Sequence, residues 1–156
     1  MEKLTLAQLG WVAGIIDGEG SIMIHRMKKQ DRPSPYTFIL RVTVETTDLR
    51  IAPTIHKLLG MGYLWEENKG EERRNCMKWM VQGKKAATFL AEILPFLILK
   101  TEQAELGILF QKSKKHWKHL TPEDRDLMAL RFDQMKQLKQ ENKLPVKVEL
   151  LSAVSS

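Results

Sequence analysis

Cysteine is nearly absent from this chain of 156 residues, where Cys76 stands alone. A single thiol excludes an internal disulfide framework and a zinc site built on paired cysteines. No apolar run approaches the roughly 18 residues that a membrane helix requires. The opening residues, Met1-Glu2-Lys3-Leu4, lack the basic start and apolar centre of a secretory leader. Acidic groups are in deficit: Asp and Glu number 19 against 25 Lys and Arg, a formal charge of +6 with a pI near 9.5. Hydrophobic residues make up 43% and charged residues 28%, a globular balance that excludes a disordered or collagen-like chain. The expectation is a soluble intracellular protein of one domain with affinity for polyanions. Its compartment (cytoplasm, nucleoid or organelle matrix) is left open.

The charge is uneven. The first twenty residues are net acidic around Gly18-Glu19-Gly20, and the basic surplus lies in two β-like stretches and just after residue 100. A positive surface around a few carboxylates suits a metal-dependent enzyme acting on phosphodiesters. Random charge drift on a solvated surface is the plain alternative.

Hydropathy patterning orders the elements. Leu4, Leu6, Leu9, Trp11, Val12, Ile15 and Ile16 make a first helix that is apolar on several sides and ends at Gly18-Glu19-Gly20. Such a helix is expected to be buried, against its own domain and against a partner. Residues 21–29 alternate as a strand, with Ile22 and Ile24 opposite Met23, His25, Met27 and Lys29. A Pro-containing turn follows at 30–35, and alternation resumes from Tyr36 to Glu45. Thr47-Asp48 signals a helix N-cap, with the helix running to Leu59 and closed by Gly60. Pro53 is tolerable only in a first turn, which moves the start toward Ile51. Short strands at 62–65 and 75–81 flank a polar hairpin loop, and a helix at 84–94 is stopped by Pro95. Thr101 opens a helix to about 115, and Thr121-Pro122-Glu123-Asp124 opens another to about 142, with a short turn possible beyond Pro145. The order is α-β-β-α-β-β-α and then further helices, with the core at about 5–116 and C-terminal helices at about 121–151. The class is α+β: one four-stranded antiparallel sheet, helices on one face and the other face free. Trp11 and Trp79 are expected in the core.

The segment Trp11-Val12-Ala13-Gly14-Ile15-Ile16-Asp17-Gly18-Glu19-Gly20-Ser21 resembles the signature of the LAGLIDADG homing endonucleases. A second segment, Leu94-Pro95-Phe96-Leu97-Ile98-Leu99-Lys100-Thr101-Glu102-Gln103-Ala104, is similar to the region that carries that family's active-site lysine. The resemblance implies an αββαββα fold whose concave sheet face binds DNA. It implies Glu19 as metal-binding carboxylate, the backbone carbonyl of Gly18 as a second ligand, and Lys100 as active-site lysine. The cofactor would be Mg2+ or Mn2+, with Ca2+ able to substitute without supporting cleavage. One motif brings one such acid, so the resemblance implies a homodimer, with Ala13, Gly14 and Asp17 at its interface. Small residues there allow close helix approach.

Glu45 matches a position where homodimeric relatives carry a glutamine near a metal-bound water. It is either an extra ligand or base, or a sheet-end carboxylate paired with a lysine. Lys100 either stabilises charge on the phosphate or snorkels to solvent. The DNA-reading candidates are His25, Lys29, Arg41, Tyr63, Trp65, Arg74 and Lys78, with Arg50 close to a phosphate, because a β-ribbon can enter the major groove. Met23 and Met27 share the first strand's outer face, where they could touch thymine methyls or simply pack. The basic run 112–119 either clamps phosphates or only dresses a helix end, and His116 with His119 makes no zinc site. The implied activity is site-specific double-strand cleavage by a homodimer on a long pseudo-palindromic site. An RNA-splicing maturase, or a DNA-binding protein without catalysis, is the alternative on the same fold.

Overall fold

The computed structural model of the chain describes residues 3–29 and 36–141. The expected turn at 30–35 and the tail beyond Pro145 lie outside the described residues. Helix α1 (Leu6–Glu19) is capped by Thr5, whose hydroxyl accepts from Gln8 N at 3.1 Å while Gln8 Oε1 accepts from Thr5 N at 3.0 Å. This reciprocal box satisfies two of the orphan donors of the first turn. The helix passes straight into strand β1 (Gly20–Lys28). Gly20 is not there for unusual dihedrals, since its φ is −85°. A Cβ on it would lie 2.7 Å from Ile16 Cα and 2.8 Å from Ile16 O, so only glycine lets the strand leave so close to the helix.

Strand β2 (Tyr36–Thr46) pairs with β1 through Ile22–Val42 and Ile24–Leu40. Strands β3 (Tyr63–Glu67) and β4 (Cys76–Gln82) form the second hairpin, and β4 pairs with β2 through Val42–Val81 and Val44–Trp79. The sheet is antiparallel throughout, in the order β1-β2-β4-β3. One face presents Ile22, Ile24, Leu40, Val42, Val44, Trp79 and Val81, all buried. Each large side chain there contributes about 1.5–3 kcal/mol by leaving water.

Helices α2 (Ile51–Leu59), α3 (Gly83–Ile93), α4 (Thr101–Ser113) and α5 (Pro122–Glu141) accompany that core with α1. Helix α2 begins at Ile51, three residues past Asp48, so Pro53 sits in the first turn where no amide partner is lost. The Thr47-Asp48 cap is therefore not a cap: Asp48 Oδ1 accepts from Arg50 N at 3.0 Å and shapes the approach to the helix. Gly60 closes α2 in the left-handed region at φ 61°. Thr121 caps α5, accepting from Asp124 N at 3.1 Å, and Pro122 follows in the first helical position. Helix α5 lies along the β1 side of the sheet, where the Phe132 ring meets Phe38 tilted at 52° with centroids 5.5 Å apart and Arg26 rests over the Phe132 ring at 5.3 Å. Trp79 is wholly buried, its Nε1 donating to Met61 O at 3.0 Å. Trp11 departs from expectation: it is 40% exposed on the outer side of α1. The helix packs Val12, Ala13 and Ile16 inward, and Trp11 falls off that stripe.

Candidate active site and nucleic-acid interface

The end of α1 is tied to the start of α4 by two side chains. Asp17 accepts three backbone amides, from Ile98 at 2.8 Å, Leu99 at 3.2 Å and Lys100 at 3.0 Å. Lys100 returns the link: its Nζ donates to Ile16 O at 2.9 Å and Asp17 O at 2.7 Å. A cation on the last carbonyls of a helix is favoured by the helix dipole and satisfies orphan acceptors. The lysine therefore does not snorkel outward. Burial lowers its pKa from the ordinary lysine value, while Asp17 and Glu19 oppose that shift.

Glu19 follows two residues later, exposed, with no hydrogen bond or ion pair among the described residues. It lines an open groove of about 600 Å³ shared with Glu45, Asp48, Lys69 and Arg74. Of the sequence-expected ligands, Glu19 and the last-turn residue Gly18 thus lie together, beside Lys100. An unpaired carboxylate with the backbone carbonyl of the preceding Gly18 is a hard-oxygen donor set of the kind magnesium takes, and one chain offers too few such groups for a full shell.

Glu45 is placed differently from its expected catalytic role. It faces Lys78 across β2 and β4, at 3.3 Å, and pairs also with Lys69. Cys76 Sγ donates to the same carboxylate at 3.3 Å. These donors hold the Glu45 carboxyl down at about 2, well below its ordinary 4.5, against a smaller effect of burial. A carboxylate so stabilised is a poor proton acceptor. These contacts match the lysine-paired reading of Glu45, which lies in the same groove as Glu19.

The face of the sheet away from the helices carries Met23, His25, Met27, Arg41, Lys78, Tyr63 and Trp65, all on one side by register. Lys29 continues beyond the end of β1, and Arg74 stands in the loop before β4. Tyr63 is 60% exposed, as an aromatic awaiting a partner would be. Arg41 reaches Gln82 Oε1 at 3.5 Å, and its buried Nε has no partner among the described residues. Burial and the neighbouring Arg41 lower the pKa of His25. Arg50 is not on this face: it opens α2, and Asp48 holds it in a two-pronged pair at 2.9 and 2.7 Å. Lys114, Lys115, His116 and Trp117 of the basic run line a cavity of about 290 Å³ together with Met27 and Lys29.

On the outer side of α1, a Cβ at Gly10, Gly14 or Gly18 would meet nothing within 4 Å. Leu6 at 73% and Trp11 at 40% are exposed on the same helix. Ala13, expected at the interface, is wholly buried in the chain's own core. Asp17 likewise spends its carboxylate inside the chain, on the amides of residues 98–100. Two site neighbours escaped the sequence reading. Lys139 Nζ donates to Ser21 Oγ at 2.8 Å from a position 118 residues away, for which no local signal exists. Gln103 is 97% buried, and its Oε1 has no partner among the described residues. Its place in the motif after Lys100 was the only available signal.

A family model described as LAGLIDADG endonuclease matches residues 12–115, more than half of the chain. The DNA endonuclease I-CvuI of Chlorella vulgaris is 33% identical over 101 residues, covering 64% of this chain and 60% of that protein's length. The chain thus aligns with less than two thirds of this curated relative. A crystal structure of I-CvuI with the I-CreI target, in the presence of Mg and with the DNA not cleaved, superposes with a TM-score of 0.76 at 27% identity. It covers 90% of this chain and 87% of that one. An archaeal intron-encoded homing endonuclease, I-Vdi141I, complexed with DNA, superposes with a TM-score of 0.72 at 16% identity over 85% and 84% of the two chains, a likeness of fold.

Proposed function

Because this chain belongs to the LAGLIDADG endonuclease family, we propose that it is a site-specific double-strand DNA endonuclease, dependent on a divalent metal and active as a homodimer on a long pseudo-palindromic site. The observation that carries this reading is the pairing of an unengaged Glu19 with an inward-locked Lys100 at one helix end, beside a free and basic sheet face.

Glu19 and the Gly18 carbonyl would hold Mg2+ or Mn2+, and Ca2+ would support binding without cleavage. A bound ion supplies positive charge against the scissile phosphate and acidity to a water. The chain's own contribution is positional. Asp17 fixes the 98–100 backbone, the backbone fixes Lys100, and Lys100 fixes the last carbonyls of α1 just before Glu19. Two of the three ammonium protons are committed to carbonyls, leaving one for a water or a phosphate oxygen. A donor held in place before the reaction acts where negative charge develops. Glu45 takes no proton in this scheme.

The homodimer follows from the count of acids and from the outer side of α1. Gly10, Gly14 and Gly18 permit a second helix to approach closely, and Leu6 and Trp11 offer apolar area beside them. Two copies packed there bring two Glu19 side chains toward one axis.

The test is plasmid linearisation with magnesium. Glu19→Gln is expected to abolish cutting while the protein still retards target duplex. A variant that cuts at the wild-type rate overturns the assignment of Glu19.

A further inference from the structure

The free face of the sheet carries a compact group of opposite charges that cleavage does not use. Glu45, Lys78 and Trp65 lie in one row across β2, β4 and β3, and Glu67 faces Cys76 nearby. Lys78 Nζ lies 2.5 Å from Glu67 Oε2 and 3.3 Å from Glu45 Oε2, and Lys69 closes on the far side of Glu45. Two carboxylates balance two ammoniums, so the group is neutral in a chain of charge +6. A surface that binds phosphates needs surplus positive charge, and this group has none to offer. Cys76, Glu45 and Glu67 also have the spacing of metal ligands, all within 4.8 Å of one another. Both carboxylates are already neutralised by ammoniums, which argues against a cation there. What remains is a donor held beside an acceptor, partly exposed, on the face that meets the groove: Lys78 is 25% exposed and Glu67 42%.

The edge of a base pair has the same alternation. In the major groove a G·C pair shows two adjacent acceptors on guanine, N7 and O6, next to the N4 amino donor of cytosine. An ammonium can span both guanine acceptors, whereas on adenine it meets an amino donor in the second place. A carboxylate accepts from cytosine N4 but is repelled by thymine O4. The shared Lys78–Glu67 contact keeps the two heads adjacent, and Glu45 restrains Lys78 from the other side.

We infer that Lys78 and Glu67 read one G·C pair in each half-site, the one Lys78 proton not given to Glu45 and Glu67 being shared between guanine N7 and O6 and Glu67 accepting from cytosine N4, with Glu45 as the positioning residue for Lys78. The inference rests on the proposed double-strand DNA reading and adds to it the identity of a base pair.

The experiment selects bound duplexes from a randomised library, using the full chain with calcium in place of magnesium. The wild type is expected to enrich a G·C pair at two positions related by the site's symmetry. Lys78→Met should lose that enrichment at those positions alone and weaken binding to the wild-type site by about 5- to 150-fold for each half-site contact removed, with the salt dependence of binding unchanged. Lys78→Arg should keep guanine, and Glu67→Gln should relax the cytosine preference, so the result does not hang on one variant folding. Loss of affinity that is uniform across sequences, with a salt slope smaller by about one, would make Lys78 a phosphate contact and overturn the inference. A wild-type pool that binds duplex and shows a shared sequence, but no symmetric G·C pair sensitive to these variants, overturns it while sparing the endonuclease reading. A wild-type pool with no shared sequence overturns the site-specific reading and this inference with it.

Discussion

The ammonium of Lys100 donates to the carbonyls of Ile16 and Asp17 at 2.9 and 2.7 Å, while the Asp17 carboxylate accepts the Lys100 backbone amide at 3.0 Å. Two segments more than eighty residues apart are thereby locked at the point where Glu19 emerges. Replacing the lysine tests the lock. Lys100→Met is expected to lower the cleavage rate about 10²- to 10³-fold, the effect of removing one preorganised donor. Single-turnover cleavage at saturating protein measures the rate, and gel retardation is expected to show near wild-type affinity.

Asp17 bears on stability as well as on position. An amide in its place keeps a single acceptor oxygen where the carboxylate serves three N–H groups through two. Asp17→Asn is expected to lower the unfolding free energy by about 1–3 kcal/mol. A urea midpoint unchanged from wild type would show that the three amides find other partners.

Two glycines of one motif should respond oppositely. Gly20→Ala drives a methyl into the backbone of Ile16 at 2.7 Å, and about 1–3 kcal/mol of destabilisation is expected from the overlap. At Gly14 an added Cβ would meet nothing within 4 Å in its own chain, so Gly14→Leu starts into open space. Its fold should survive by circular dichroism, while sedimentation shows weakened self-association and cleavage falls with it.

The acid limb of stability should carry the signature of Glu45. Its folded pKa of about 2 lies below the ordinary 4.5, mainly through its hydrogen bonds from Lys69 and Cys76. A depressed carboxylate stabilises the fold fully above the unfolded value and loses that contribution as pH falls from about 4.5 toward 2. Urea midpoints measured down that range should fall less steeply for Glu45→Gln than for the wild type. Parallel curves would place the stabilising ion pairs elsewhere.

Much of this molecule is legible in one dimension because its elements announce themselves by period. The alternation of 36–45 became β2, and Thr121-Pro122 opened α5 where expected. The departures share one cause, contact across long sequence distance. Trp11 belongs to an apolar helix, and which of its sides faces inward was settled by α3 and the sheet. Glu45 stood as a ligand, a base or a lysine-paired carboxylate, and the cations that reach it, Lys69 and Lys78, come from another hairpin. Gly20 is needed for the room it leaves beside Ile16, which only the folded helix end shows.

The residue string gave the element order, pointed to the family and singled out Glu19 and Lys100 as site candidates, because periodicity and motif chemistry are local properties of neighbouring residues. Which charges are spent and which remain available was settled in three dimensions. Asp17 is consumed by amides, Glu45 by ammoniums and Arg50 by Asp48, whereas Glu19 makes no such contact among the described residues. The difference is physical: a charged group's chemistry depends on which opposite charges and donors lie within a few ångströms, and folding assembles those neighbours from distant parts of the chain.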